Sequence, residues 1–122
     1  MRELSVVITV MNEEENIKPL LEAVRGALGG IDYEVILVDD GSTDKTIPAI
    51  VANSDDRTVL VELRKNYGQS TAMTAGIDHS RGRYVALLDG DLQNDPTDIP
   101  AMLELLKKED RKSTRLNSSH TS

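Results

Sequence analysis

Tyr33-Glu34-Val35-Ile36-Leu37-Val38-Asp39-Asp40-Gly41-Ser42 is the stretch on which the fold is decided. An apolar, β-branched run stops abruptly in two acids and a glycine, as a buried strand does where it leaves a sheet. Leu4 to Val10 follows the same pattern and runs into Met11-Asn12-Glu13. Tyr84 to Leu88 follows it again and ends in Asp89-Gly90-Asp91. Thr58 to Leu63 reads as a further strand, closed by the basic turn Arg64-Lys65-Asn66-Tyr67-Gly68.

Between these strands the apolar period changes from two to between three and four. A helix opening at Asn16 or one of the Glu residues before it carries Ile17, Leu20, Leu21, Val24 and Leu28 on one face. Pro19 suits its first turn and Gly29-Gly30 ends it. Ser42 is expected to cap a second helix running to about Asn53, with Asp44 in its first turn. Gln69 to His79 is a helix of small residues able to pack closely on a sheet, and Asp98 to Lys108 a last helix with Met102, Leu103 and Leu106 inward. Four β–α units in succession predict an α/β fold, a parallel sheet with flanking helices joined by right-handed crossovers.

In such sheets ligands bind beyond the carboxyl ends of the strands. The acids and glycines lie there: Asn12-Glu13, Asp39-Asp40 and Asp89-Gly90-Asp91. Three acidic strand ends on one rim repel one another unless a cation offsets them.

The bulk composition narrows the field. The 122 residues suit one domain, and 39% hydrophobic residues are enough to fold it around an aliphatic core, since three Tyr are the only aromatics. Without cysteine there is neither a disulfide framework nor a thiolate metal site. A formal charge of −7 argues against nucleic acid as a partner. No apolar stretch is long enough to cross a bilayer, and the first residues lack the pattern of a signal peptide.

The Asp89-Gly90-Asp91 pair is the sharpest chemical signal. Two carboxylates just past a buried strand can hold a hard divalent cation and leave positions open for phosphate oxygens. Asp-Gly is also ordinary turn chemistry. Gln93, Asn94 and Asp95-Pro96 follow at once, however, and Gln93 offers a further oxygen ligand. Carboxylates at Asp39 and Asp40 can accept hydrogen bonds from a base N–H or a ribose hydroxyl, whereas Ser42 and Asp44 suit a helix cap. The turn at Arg64-Lys65 reads equally as a phosphate contact and as a solvated loop. His79 reads as structural or exposed, the Met residues as core filler, and no Ser-His-Asp or Cys-His set can be assembled.

Taken together, Val6 to Ile17, Val38-Asp39-Asp40-Gly41-Ser42-Thr43-Asp44 and Leu88-Asp89-Gly90-Asp91-Leu92-Gln93-Asn94-Asp95-Pro96 resemble family 2 glycosyltransferases of the GT-A (Rossmann-like) fold. The likeness is to the dolichyl-phosphate mannosyltransferase-like branch, with its bacterial polyprenyl-phosphate glycosyltransferases. It covers residues 3 to 109, and Asn66-Tyr67-Gly68-Gln69 through Ala75-Gly76 and Arg81-Gly82 share it. The resemblance implies an inverting transfer of a sugar from a GDP- or UDP-sugar donor to a polyprenyl phosphate. It implies that Thr9, Met11, Glu13, Asp39 and Asp40 bind the nucleotide, and that Asp89, Asp91 and Gln93 hold Mg²⁺ or Mn²⁺. Asp91 is then the catalytic carboxylate. Many relatives have Pro at the position of Thr9 and Tyr at that of Met11, which leaves the base without a ring to stack on. A family 2 transferase with a polysaccharide or other lipid acceptor is the nearest alternative. A receiver-like regulatory domain is a remote one, because it places its acidic pair after the first strand and a phosphorylatable Asp after the third, whereas here the acidic pairs follow the second and fourth.

The resemblance also implies that residues 1–109 are only the N-terminal nucleotide-binding half of the catalytic domain. Residues 110–122 read as a non-native tail, similar to the translation of a common sequencing adapter. Residues 111–122 hold three basic side chains and no acid, so without them the charge of −7 becomes −10. The half by itself is expected to be soluble and inactive. The full-length enzyme is expected at the cytoplasmic face of the bacterial inner membrane, meeting the membrane surface through a C-terminal part beyond Glu109.

Overall fold

A computed structural model describes residues 2–90 and 95–116, with residues 111–116 by their backbone alone. The elements run β1 (Arg2–Val10), α1 (Ile17–Ala27), β2 (Tyr33–Asp39), α2 (Thr46–Asn53), β3 (Thr58–Glu62), α3 (Gln69–His79) and β4 (Gly82–Asp89). A 3₁₀ turn (Pro96–Asp98) leads into α4 (Ile99–Leu116). All pairings are parallel, in the order β3-β2-β1-β4. The register sets Val10 beside Asp39 and Thr9 beside Asp89, so the three acidic strand ends meet at one end of the sheet.

β1 and β2 are buried on both faces, which explains their continuous apolar runs. On one face Leu4, Val6, Ile8 and Val10 meet α1 through Ile17, Leu20, Leu21, Val24 and Leu28, with Ile50 of α2 and Ile99 and Leu103 of α4. On the other face α3 covers Val7, Ile36 and Val38 through Ala72. It lies so close because Gly76 has no side chain. A Cβ there would collide with Val7 and stand 2.9 Å from Val38 Cγ2.

At the opposite end of the sheet the carboxylate of Glu34 is 2% exposed beneath the α3–β4 connection. Ser5 Oγ donates to it at 2.6 Å and the Arg81 amide at 2.7 Å, while Ser5 Oγ accepts from the Gly82 amide at 2.7 Å. Its Oε1 has no hydrogen-bond partner and lies 3.7 Å from Arg81 Nε. A polar sequence position inside a strand is thereby spent on pinning a loop.

Two expectations about the helices fail. Ser42 does not cap α2, which starts at Thr46; its hydroxyl donates to Asp39 Oδ1 and accepts from the Asn12 amide at 2.9 Å. Asp44 takes the capping work, accepting from the Thr46 amide at 2.9 Å and the Thr46 hydroxyl. The last helix is longer than expected and differently turned. Leu103 is buried, but Met102 and Leu106 are 52% and 43% exposed. The side of α4 that faces the sheet carries Ile99, Leu103, Lys107 and Asp110: Lys107 pairs with Glu3 at 2.5 Å and Asp110 with Arg83 at 2.7 Å. Buried Ile99 and Leu103 seat that side, the two ion pairs continue it toward the C-terminal half, and Met102, Leu105 and Leu106 are exposed.

The turns after β1 and β2 are laced together. Asn12, with φ of 54°, is the one non-glycine residue in left-handed conformation among the described residues. Its Oδ1 accepts from the amides of Thr43 at 2.8 Å and Asp44 at 3.2 Å. The Glu13 amide donates to Thr46 Oγ1 at 2.9 Å and the Lys45 amide to Glu14 Oε1 at 3.2 Å.

Gly76→Ala tests the close packing of α3. Helix propensity alone favours Ala by about 1 kcal/mol, and overpacking a filled interface costs about 1–3 kcal/mol. The net result is a lowered urea midpoint at unchanged slope. The lacing is tested by acid. Partial desolvation works to raise the carboxyl of Asp44, but hydrogen bonds from Thr46 and Glu14 outweigh it and hold it below its ordinary 3.8. Its stabilising contribution is therefore complete above pH 3.8 and is lost as the pH falls through the lower folded value. Carboxyl carbon NMR is expected to place the Asp44 midpoint below 3.8, and Thr46→Val to move it back up.

Candidate functional site

The carboxyl ends of β1, β2 and β4 enclose an open cavity of about 280 Å³, lined by Thr9, Val10, Met11, Glu13, Asp40, Gln69, Asp89 and Gly90. Each wall has a local cause. The left-handed turn at Asn12 leaves Met11 and Glu13, its two neighbours, both on the cavity. Glu13 is steadied by Asn16 Nδ2, which donates to its Oε1 at 2.7 Å. The Gly90 amide donates to Thr9 O at 3.0 Å, and a Cβ on Gly90 would stand 2.6 Å from Val10 Cγ1. Only glycine lets the chain leave β4 so close to β1.

The paired acids after β2 divide their work. Asp39 is buried, and its carboxylate accepts from the Ser42 amide at 3.0 Å and from the Ser42 hydroxyl. It does not line the cavity. Asp40 does, and it also accepts from the amides of Tyr67 at 2.8 Å and Gly68 at 3.1 Å. Asp40 thus ties the basic loop after β3 to the rim. The Leu63 amide adds a bond to Asp39 O at 3.0 Å, and Gly41 leaves room for the loop, since a Cβ there would stand 2.6 Å from Asn66 N. Asn66 Nδ2 reaches Met11 Sδ at 3.8 Å, and Lys65 sits over the Tyr67 ring, 5.5 Å from its centroid.

Of the residues singled out from sequence, Thr9, Met11, Glu13, Asp40 and Asp89 come together around one cavity. Asp39 stands behind it, and Asp91 and Gln93 lie outside the described residues. Gln69 lines the cavity and was not singled out; its Nε2 donates to Asp89 Oδ1. The signal was present, because Gln69 follows the turn after a third strand of the same parallel sheet. Its place at the head of a small-residue helix drew attention to packing instead.

The described lining carries three carboxylates and no basic side chain. Such a concavity attracts cations and repels a bare diphosphate. Apart from the Met11 thioether, its polar side chains offer oxygen atoms, the ligands that hard divalent cations prefer. Among the described residues no three His, Cys, Asp or Glu side chains stand close enough to hold a metal ion. Among the described residues no helix is long and apolar enough to cross a membrane.

A family model described as Glycosyl transferase family 2 matches residues 5–115. The chain is 48% identical over 111 residues to a dodecaprenyl-phosphate galacturonate synthase of Rhizobium johnstonii, covering 87% of this chain and 33% of that protein. It is 42% identical over 106 residues to an undecaprenyl-phosphate 4-deoxy-4-formamido-L-arabinose transferase of Edwardsiella ictaluri, covering 83% and 33%. Among solved structures it resembles glucosyl-3-phosphoglycerate synthase from Mycobacterium tuberculosis in complex with Mn²⁺, UDP and glucosyl-3-phosphoglycerate. That match has a TM-score of 0.71 and 25% identity, over 86% of this chain and 39% of that one. The chain thus spans about a third of the length of the curated relatives it matches. The four-stranded parallel sheet with flanking helices matches the GT-A (Rossmann-like) arrangement of glycosyltransferase neighbours. On the family match over residues 5–115 and these identities, the chain belongs to glycosyl transferase family 2.

Proposed function

We propose that the polypeptide carrying this chain is an inverting glycosyltransferase that moves a sugar from a nucleotide-sugar to a polyprenyl phosphate, and that these residues supply its nucleotide and metal site. The observation that carries the reading is the cavity at the carboxyl ends of β1, β2 and β4, where Glu13, Asp40 and Asp89 converge. The two relatives, both polyprenyl-phosphate sugar transferases, support the acceptor class. The Mn²⁺ and UDP in the solved neighbour support a divalent cation and a nucleoside diphosphate.

In this reading the backbone at Thr9 and Met11 and the carboxylates of Glu13 and Asp40 hold the nucleoside. Asp40 enters already oriented by two amides, with lone pairs left for a base N–H or a ribose hydroxyl. Asp39 acts on the nucleoside only through the turn it holds. Asp89, Asp91 and Gln93 would hold Mg²⁺ or Mn²⁺, with Asp91 as the catalytic carboxylate. When bound, the cation supplies Lewis-acid stabilisation of charge on the departing diphosphate. The acceptor phosphate oxygen forms a bond to the anomeric carbon as the bond from that carbon to the diphosphate oxygen breaks, with inversion. A phosphate monoester is anionic near neutral pH, so the attack needs little help from a general base. Because the acceptor is a lipid, the reaction belongs at a membrane surface, at the cytoplasmic face of a bacterial inner membrane.

Calorimetry with GDP and UDP, with and without Mn²⁺, tests the site. Binding is expected to depend on the metal and to be lost in Asp91→Ala and Asp89→Ala. Equal binding in EDTA removes the metal assignment. With the site established, radiolabel moving from nucleotide-sugar into an organic-extractable polyprenyl phosphate confirms the acceptor, and label passing only into a polysaccharide replaces it.

A further inference from the structure

Asn66 belongs to the basic turn after β3, and its backbone packs on Gly41, where a Cβ would stand 2.6 Å from Asn66 N. Its neighbours fix which way round its side-chain amide lies. Asn66 Oδ1 accepts from the Gly68 amide at 3.0 Å, so the nitrogen faces the other way, toward Met11 Sδ at 3.8 Å. The same Gly68 amide donates to Asp40 Oδ2 at 3.1 Å. One N–H thereby holds an amide and a carboxylate side by side at the cavity, which Asp40 and Met11 both line. The two groups differ in what they have left to offer. The Asp40 carboxylate has about four lone-pair sites, and the Tyr67 and Gly68 amides occupy two of them. The Asn66 nitrogen is a donor, and among the described residues it meets a thioether, which is a weak acceptor. A better acceptor arriving beside Asp40 would take that donor at little cost.

We infer that Asn66 is a specificity-determining residue for the base: with Asp40 it forms an acceptor–donor pair that selects a ring N–H flanked by a carbonyl. The inference rests on the reading of the cavity as a nucleotide site. Uracil and guanine both present that edge, the N–H to Asp40 and the C=O to Asn66. Cytosine and adenine present the reverse, a bare ring nitrogen beside an amino group. Against this pair they set lone pair on lone pair and N–H on N–H. Where side chains read bases by paired hydrogen bonds, such a mismatch costs about 10–100-fold in affinity. Met11 cannot make the choice, because a thioether side chain gives every base face the same apolar contact. Identity has to be read at the edge.

Asn66→Asp tests this, because Asp keeps the oxygen that accepts from Gly68 and turns the donor into a second acceptor. Asn66 is exposed, so the exchange spares the core. In the intact polypeptide, UDP, CDP, GDP and ADP are titrated by calorimetry at one saturating Mn²⁺ concentration. The diphosphate and the metal are common to all four. The affinity ratios of UDP to CDP and of GDP to ADP therefore report the base edge alone. The wild type is expected to prefer UDP or GDP by about 10–100-fold within its pair, and Asn66→Asp to cut that ratio about tenfold. A uniform loss across the nucleotides leaves the ratio unchanged and overturns the inference, since the added charge would then be acting on the diphosphate. Wild-type CDP and ADP binding as tightly as UDP and GDP overturns it too. In both cases the proposed function stands. A wild type that binds none of the four overturns the proposed function, and the inference with it.

Discussion

Leu4 to Val10 has neither a free edge nor a free face: β2 and β4 pair with it on either side, and α1 and α3 cover it above and below. A segment with no route to water has to satisfy every backbone group within the sheet and every side chain within the core. The remainder of the fold follows from that requirement. Parallel neighbours need crossovers, the crossovers are helices, and all strand ends of one sense arrive at the same rim. Where β1 ends, Thr9 O is claimed by Gly90 and Val10 O by Asp40, so the central strand organises both neighbours after its own ladder has stopped.

The acids gathered at that rim are less destabilising than their number suggests, because several are engaged in holding chain. Asp39 holds the turn at Ser42, Asp40 the loop at Tyr67 and Gly68, and Asp44 the start of α2. Amide donors are a good match for a carboxylate, and each such bond organises a loop while it lowers the local negative potential. Glu13 and Asp89 are likewise each met by a side-chain amide, from Asn16 and Gln69. Neutral donors leave the cavity anionic, where arginines or lysines would have cancelled its charge.

Much of the architecture was legible because local period carries it. The strand runs, the α1 face from Ile17 to Leu28 and the bounds of α3 depend on neighbours in sequence and appear as expected. The convergence of Glu13, Asp40 and Asp89 was legible too, since a parallel sheet leaves strand ends no other place to be. What escaped depends on partners far along the chain. Nothing local distinguishes Asp39 from Asp40; the difference is that one turns back to Ser42 and the other reaches Tyr67. Ser42 looked like a cap because its true partner, the Asn12 amide, is 30 residues away. Met102 and Leu106 looked inward by spacing alone, but the side that meets the sheet carries Ile99 and Leu103 with Lys107 and Asp110, whose partners Glu3 and Arg83 lie far along the chain.

The outer edge of β4 lends this piece of the fold a particular temperament. Eight residues long, it is the longer of the two edges, and Leu87 on it is 44% exposed. Ile77 stands exposed on the α3 side of the sheet, and Met102, Leu105 and Leu106 on the α4 side. Among the described residues no strand pairs with its outer side, and a long strand edge with greasy flanks is a template for adhesion. Kept concentrated as a separate piece, the chain is thus inclined to stack strand upon strand with its own copies. A charge at position 87 is the smallest change that would discourage it.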